Sequence, residues 1–192
     1  MTDRPMTGRP MNDGHTIRQI TTKVVYSNPW MVVREDEVER PDGSRGLYAY
    51  IDKPDFVLVM PWENGGFHLV EEYRYPVRRR TWSFPQGSAD ASTLEDEARL
   101  ELAEETGLRA AHWRWLGALD NAHGVATQQM HVYLATGLEP GPPRREHTEQ
   151  DMRQRWVSRA DFEAMVRAGE VTDSGSVAAY TLLLMSGSLP DS

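Results

Sequence analysis

Four glutamates, Glu97, Glu101, Glu104 and Glu105, fall within nine residues of the stretch "TLEDEARLELAEETGL". Carboxylates three and four apart on a helix repel by a few tenths of a kcal/mol per pair. At 3.6 residues per turn the four share an arc of roughly 100°. Within the helical run no lysine or arginine stands four residues after any of them. Such a column is a poor solvated face and a good site for a hard cation. Mg²⁺ or Mn²⁺ takes carboxylate oxygens, keeps several waters and shares its shell with substrate phosphates. The helix alone fits an acidic surface equally well. The turn Pro85-Gln86-Gly87 before it and "EETGL" at its end favour the cation site.

The elements that must position these residues are legible from pattern. A helix is expected over 92–106, with Ser92 and Glu95 as a capping box and Asp90 and Asp96 at its positive end. Leu94, Ala98 and Leu102 make its apolar stripe, and Gly107 its C-cap. Strands are expected at 22–27, 30–40, 47–51, 55–62, 67–77, 112–119, 130–138 and 152–158, with "TWSFPQGS" a short extended piece. Asp42-Gly43 marks a hairpin. The continuous apolar run "DFVLVMPW" reads as a buried strand. Residues 159–170 and 174–187 read as helices. Strands around a central helix, with helices at the end, make an α+β sandwich. The division expected is a disordered tail over 1–19, one domain over 20–188, and a short tail over 189–192.

The whole chain narrows the functional classes. Its 192 residues suffice for one domain with a real core. A net charge of −8 argues against a nucleic-acid partner or an anionic membrane surface. The absence of cysteine excludes disulfides and thiolate chemistry and suits the cytoplasm. No long apolar run spans a membrane, and the N-terminus lacks the apolar segment of a signal peptide.

The segment "GSADASTLEDEARLELAEETGL" resembles the Nudix box, G-x5-E-x7-R-E-U-x-E-E-x-G-U, where U is aliphatic. Gly87, Glu101, Leu102, Glu104, Glu105, Gly107 and Leu108 match it. The interval from Gly87 to Glu101 is one residue short, the first glutamate is missing, and Leu100 replaces the arginine, with Arg99 displaced by one. The resemblance runs from about Tyr26 to Leu184 and includes "EEYRYP", similar to ADP-ribose pyrophosphatase-like members. "WSFPQG" is closer to members acting on dinucleoside polyphosphates or capped RNA ends.

The resemblance implies a Nudix-type α/β/α sandwich with a mixed central sheet. It also implies metal-dependent cleavage of a nucleoside diphosphate linked to a sugar, ADP-ribose foremost, giving AMP and ribose 5-phosphate. Glu101 and Glu105 would be the chief metal ligands, joined by the backbone carbonyl of Gln86 beside Gly87, with Glu104 assisting. Arg74 would face the diphosphate, with Arg78, Arg79 and Arg80 as neighbouring candidates. Glu149, then Glu146, would be the base, in the loop "RREHTEQDM". An aromatic platform is sought among Tyr26, Trp30, Trp62, Tyr75 and Trp82. His123 lies in a loop able to close over a ligand. A homodimer with exchanged N-terminal strands is implied in the same way. Two rivals remain: hydrolysis of dinucleoside polyphosphates or nucleoside triphosphates, and a catalytically weak domain that senses nucleotide.

Overall fold

The structure, a computed structural model, describes residues 16–88, 93–142 and 151–187. It divides into two units, one of residues up to Lys53 with Ala122–Thr127, the other of Pro54–Asn121 with the chain from Gln128 onward.

The first unit is an antiparallel meander of β1 (Arg18–Asn28), β2 (Met31–Glu39) and β3 (Arg45–Asp52). Asn28 makes the first turn by accepting the Trp30 and Met31 N–H groups on its side-chain oxygen. The expected Asp-Gly hairpin makes the second: Asp42 Oδ1 accepts the Ser44 N–H, and Gly43 takes a φ of 80°. Arg18 and Gln19 pair with Glu39 and Val38. The expected tail is therefore shorter at its inner end, while residues 1–15 and 188–192 lie outside the described residues.

The second unit holds the larger sheet, in the order β10-β5-β4-β9-β8. Its strands are β4 (Phe56–Glu63), β5 (Gly66–Arg74), β8 (Leu108–Asp120), β9 (Gln129–Pro140) and β10 (Arg153–Ser158). β4 and β9 run parallel and the other pairs antiparallel, so the sheet is mixed. Between β4 and β5 lies a wedge: β6 (Arg79–Ser83) pairs with β5, then β7 (Gln86–Ser88) pairs with β4. The expected extended piece is thus two strands with different partners, because Phe84 and Pro85 turn the chain from one edge to the next.

β4 shows why its sequence is a continuous apolar run: both faces are covered. Val57 and Val59 pack with Ala98 and Leu102 of α1 (Leu94–Thr106). Leu58, Met60 and Trp62 pack with Phe162 of α2 (Arg159–Ala168) and with Ala179, Tyr180 and Leu183 of α3 (Ser174–Met185). The result is the expected α/β/α sandwich. No helix among the described residues is long and apolar enough to cross a membrane.

Two local expectations are corrected. The N-cap of α1 is Thr93, whose hydroxyl accepts the Asp96 N–H at 3.1 Å, so the cap stands one residue later than Ser92. Glu95 is released from that role and pairs with Arg99 one turn on. The strand expected through Val77 ends at Arg74, and Tyr75–Val77 is a 3-10 turn around Pro76.

Candidate active site

Strand β7 and helix α1 build the centre. Gln86 and Gly87 are fixed by pairing with Leu58 and Val57, and Pro85 accepts the Val59 N–H. The backbone N–H of Gln86 donates to Glu105 Oε2 at 3.3 Å. A Cβ on Gly87 would fall on the Glu101 carboxylate. Glycine is needed here for close approach: the side chain of Glu101 occupies the space another residue would fill. Two carboxylates one helical turn apart are thus laid against two consecutive backbone units.

Burial makes this more than an acidic surface. Glu105 is 2 % exposed and Glu97 4 %, on the arc that also carries Glu101 and Glu104. Ala98 and Leu102 are fully buried and hold the helix on the sheet, and Gly107 ends it in the left-handed conformation with a φ of 74°. Leu100 is 47 % exposed and points away from the packed face. Arg99 cannot replace the missing arginine: it bonds Glu95 at 2.6 Å and lies 4.9 Å from the Trp113 ring centroid.

Among the described residues, no three His, Cys, Asp or Glu side chains form a ready-made metal cage. The donor set nevertheless suits a magnesium-like ion, which uses one or two carboxylates and takes the remainder from water and substrate phosphate. The glycine cradle supports the fit, since it brings a carboxylate beside the Gln86–Gly87 backbone.

The expected substrate residues divide between two faces. On β5, Phe67 and Leu69 face the α2/α3 core, so Glu72 and Arg74 project to the α1 side by alternation. Arg74 pairs with Glu72 at 2.6 Å. Burial pushes the Glu72 carboxyl above its ordinary range; Arg74 opposes the rise, and Asp151 adds to it. Trp82 packs against the α2/α3 core, with the Arg155 guanidinium 4.6 Å from its ring centroid. Arg79 donates to Thr172 Oγ1 at 2.7 Å. His123 is exposed in the loop between β8 and β9. Glu146 and Glu149 lie outside the described residues.

Sequence reasoning missed Glu72 as the partner of Arg74, although the i,i+2 spacing on a strand was a usable signal. Arg80, one of the neighbouring candidates for phosphate, instead bonds Glu71 and Asp151.

An α/β/α sandwich whose acidic helix folds its carboxylates onto a short strand with a glycine at its centre defines a class of hydrolase, and the comparisons name it. Residues 53–177 match the family described as NUDIX domain, and residues 17–51 match the nucleoside diphosphate sugar hydrolase N-terminal domain. The chain belongs to the Nudix family and is a pyrophosphohydrolase of the ADP-ribose pyrophosphatase-like type, with a degenerate box. It is 32% identical over 168 residues to an ADP-ribose pyrophosphatase of Mycobacterium tuberculosis (strain ATCC 25618 / H37Rv), covering 85% of this chain and 81% of the relative. A second ADP-ribose pyrophosphatase, from Bacillus subtilis (strain 168), is 25% identical over 90% of this chain and 95% of its own length. The methanol dehydrogenase activator of Bacillus methanolicus is 30% identical over 63% of this chain and 66% of its own. A crystal structure of an ADP compounds hydrolase shares the fold, with a TM-score of 0.81 at 19% identity, covering 91% of this chain and 96% of that one.

Proposed function

We propose that this protein hydrolyses ADP-ribose to AMP and ribose 5-phosphate in the cytoplasm, with Mg²⁺ or Mn²⁺ as its cofactor. The observation that carries the reading is the Glu101 carboxylate in the space above Gly87, beside the Glu105–Gln86 bond. The substrate rests on the names of the two pyrophosphatase relatives. Glu101 and Glu105 hold the ion, with the Gln86 carbonyl beside Gly87 and with Glu104 assisting. A divalent cation there supplies neutralisation of diphosphate charge and acidifies bound water.

The chain's own residues do the rest. Arg74 forks onto diphosphate oxygens, exchanging its bond to Glu72 for substrate. Arg79 adds positive charge at the start of β6. Glu149, or Glu146, takes the proton of the attacking water. A homodimer is supported by the exposed apolar side chains of the first unit, Val24, Val25, Tyr26, Trp30, Leu47 and Tyr48 among them.

"WSFPQG" supports a second reading, in which dinucleoside polyphosphates are the substrate. Product release from ADP-ribose, other nucleoside diphosphate sugars, dinucleoside polyphosphates and nucleoside triphosphates, with Mg²⁺, Mn²⁺ or chelator, decides between them. ADP-ribose turned over fastest, and only with metal, is the expected result. Faster turnover of a polyphosphate replaces the substrate. Ligand binding with no turnover of any compound favours a nucleotide sensor.

A further inference from the structure

Arg99, the displaced arginine of the box, has no part in the centre just described. Around α1, Arg99 and Ala103 each stand about 160° from Glu101, on the opposite face of the helix. There, with Arg109, Ala110 and Trp113 of β8, they line a cavity of about 300 Å³. Two guanidiniums and an indole form its walls, and none of the lining residues is acidic. In a chain of net charge −8 this is a local reversal of sign.

The walls are fixed before any ligand arrives. Trp113 Nε1 donates to the Ala110 carbonyl at 3.2 Å, and the indole meets the Tyr133 ring edge-on, 6.4 Å between centroids. The Arg99 guanidinium lies 4.9 Å from the Trp113 ring centroid, and one terminal nitrogen donates to Glu95 at 2.6 Å. Glu95 thus takes a single arm of the Arg99 fork and leaves the rest for a ligand. Arg109 is exposed. Glu139 stands opposite it across the β8–β9 pair, yet among the described residues no carboxylate bonds the Arg109 guanidinium.

The chemistry selects the ligand. Arginine forks match phosphate oxygens, two donors to two acceptors. A phosphate monoester carries nearly two negative charges at neutral pH. That answers Arg109 together with the part of Arg99 that Glu95 does not offset, and a single carboxylate answers less of it. The volume is at the lower end for ligand pockets. It gives room for one sugar phosphate or mononucleotide, and too little for a nucleoside diphosphate sugar.

We propose that this cavity is a second binding site, for a phosphate monoester, on the side of α1 away from the metal ligands. Arg109 and Arg99 hold the phosphate, and the Trp113 indole packs against the rest of the molecule. The physiological ligand rests on the proposed reaction, whose two products are both phosphate monoesters; the site itself does not.

The test is a titration of the full chain with Mg²⁺ present, followed by nuclear magnetic resonance of the Trp113 indole N–H. The Gly87 amide reports on the metal centre separately. The probes are AMP, ribose 5-phosphate, adenosine and gluconate. AMP and ribose 5-phosphate should each shift the Trp113 signal saturably; adenosine, which lacks phosphate, and gluconate, a carboxylate, should not. Arg109→Gln and Arg99→Gln should each weaken both esters by about tenfold or more, the scale of one charge-assisted hydrogen bond, with the thermal midpoint unchanged. A Trp113 signal that neither ester moves overturns the site, and so does a shift that survives both substitutions. An equal shift by gluconate overturns the choice of phosphate, and an equal shift by adenosine overturns the anion site altogether. If a variant loses stability, the wild-type contrast of ester against gluconate and adenosine still decides. Failure of the wild type to hydrolyse any nucleotide would defeat the proposed function and leave the binding result standing.

Discussion

The two layers flanking β4 are built from different materials. On the α2/α3 side, Phe67 stands 5.2 Å from Phe84, 5.5 Å from Phe162 and 5.9 Å from Tyr180, ring centre to ring centre. These rings join Leu58, Met60 and Leu183 in an aromatic-rich core. On the α1 side the buried cluster is smaller and mainly aliphatic, Val57, Val59, Ala98, Leu102, Leu108 and Ala135 with one buried ring, Tyr133. Buried carboxylates share that helix, and only a narrow apolar stripe holds it down. One layer spends its surface on packing; the other holds groups that packing alone would never place there. Stability and chemistry are thereby separated across a single sheet, and substitutions should separate them too.

The largest effect is expected in the chemical layer. Glu101→Gln and Glu105→Gln should each lower turnover by roughly 100-fold or more, the scale of losing an electrostatic group at the reacting centre, while the denaturation midpoint holds. Wild-type turnover in both would remove the site from α1. Gly87→Ala should follow, at about 100-fold, because the new methyl displaces the Glu101 carboxylate. Full activity in that variant would show that the carboxylate does not work from where it lies.

The packing layer should answer in the opposite sense. Phe162→Ala is expected to cost about 3–5 kcal/mol in denaturant unfolding, with turnover per folded molecule preserved. A specific loss of activity without a loss of stability would break the separation. At the start of α1, Thr93→Ala removes the cap and should cost about 1 kcal/mol, with a modest fall in activity.

The smallest effect is a pH dependence. Burial raises the Glu72 carboxyl, so its ionisation opposes folding. Its stabilising share is complete below the unfolded glutamate range and is lost as pH rises through the raised folded value. Glu72→Gln should therefore gain on wild type in denaturation midpoint as pH climbs from about 4 to about 8. A difference that stays flat across that range would mean that Arg74 fully offsets the burial.

Much of the sandwich was readable because it depends on local pattern. The run "DFVLVMPW" is apolar on both parities because both faces of β4 are covered, and Gly107 ends α1 where a left-handed residue is required. The glutamate arc was readable because helical spacing alone creates it. Less visible were features set by distant partners. Thr93 displaced Ser92 as the cap, a choice between adjacent hydroxyls that spacing leaves open. The strand through "EEYRYPV" breaks at Arg74 because β6 must turn back to pair with β5, and Pro76 sits in the turn. The bonds from Arg80 to Asp151 cross 71 residues of chain and follow no local rule. The need for glycine at Gly87 came only from the resemblance, and its physical cause is the Glu101 carboxylate above it.

The most direct test of the division between layers is a Mn²⁺ titration followed by the electron paramagnetic resonance of the free ion. It would use wild type, the Glu101→Gln, Glu105→Gln double variant and the milder core variant Phe162→Leu. Wild type and Phe162→Leu should deplete the free signal alike, and the double variant should bind far more weakly while remaining folded. Equal Mn²⁺ binding by the double variant and wild type would contradict a metal site on α1, and with it the separation of chemistry from packing.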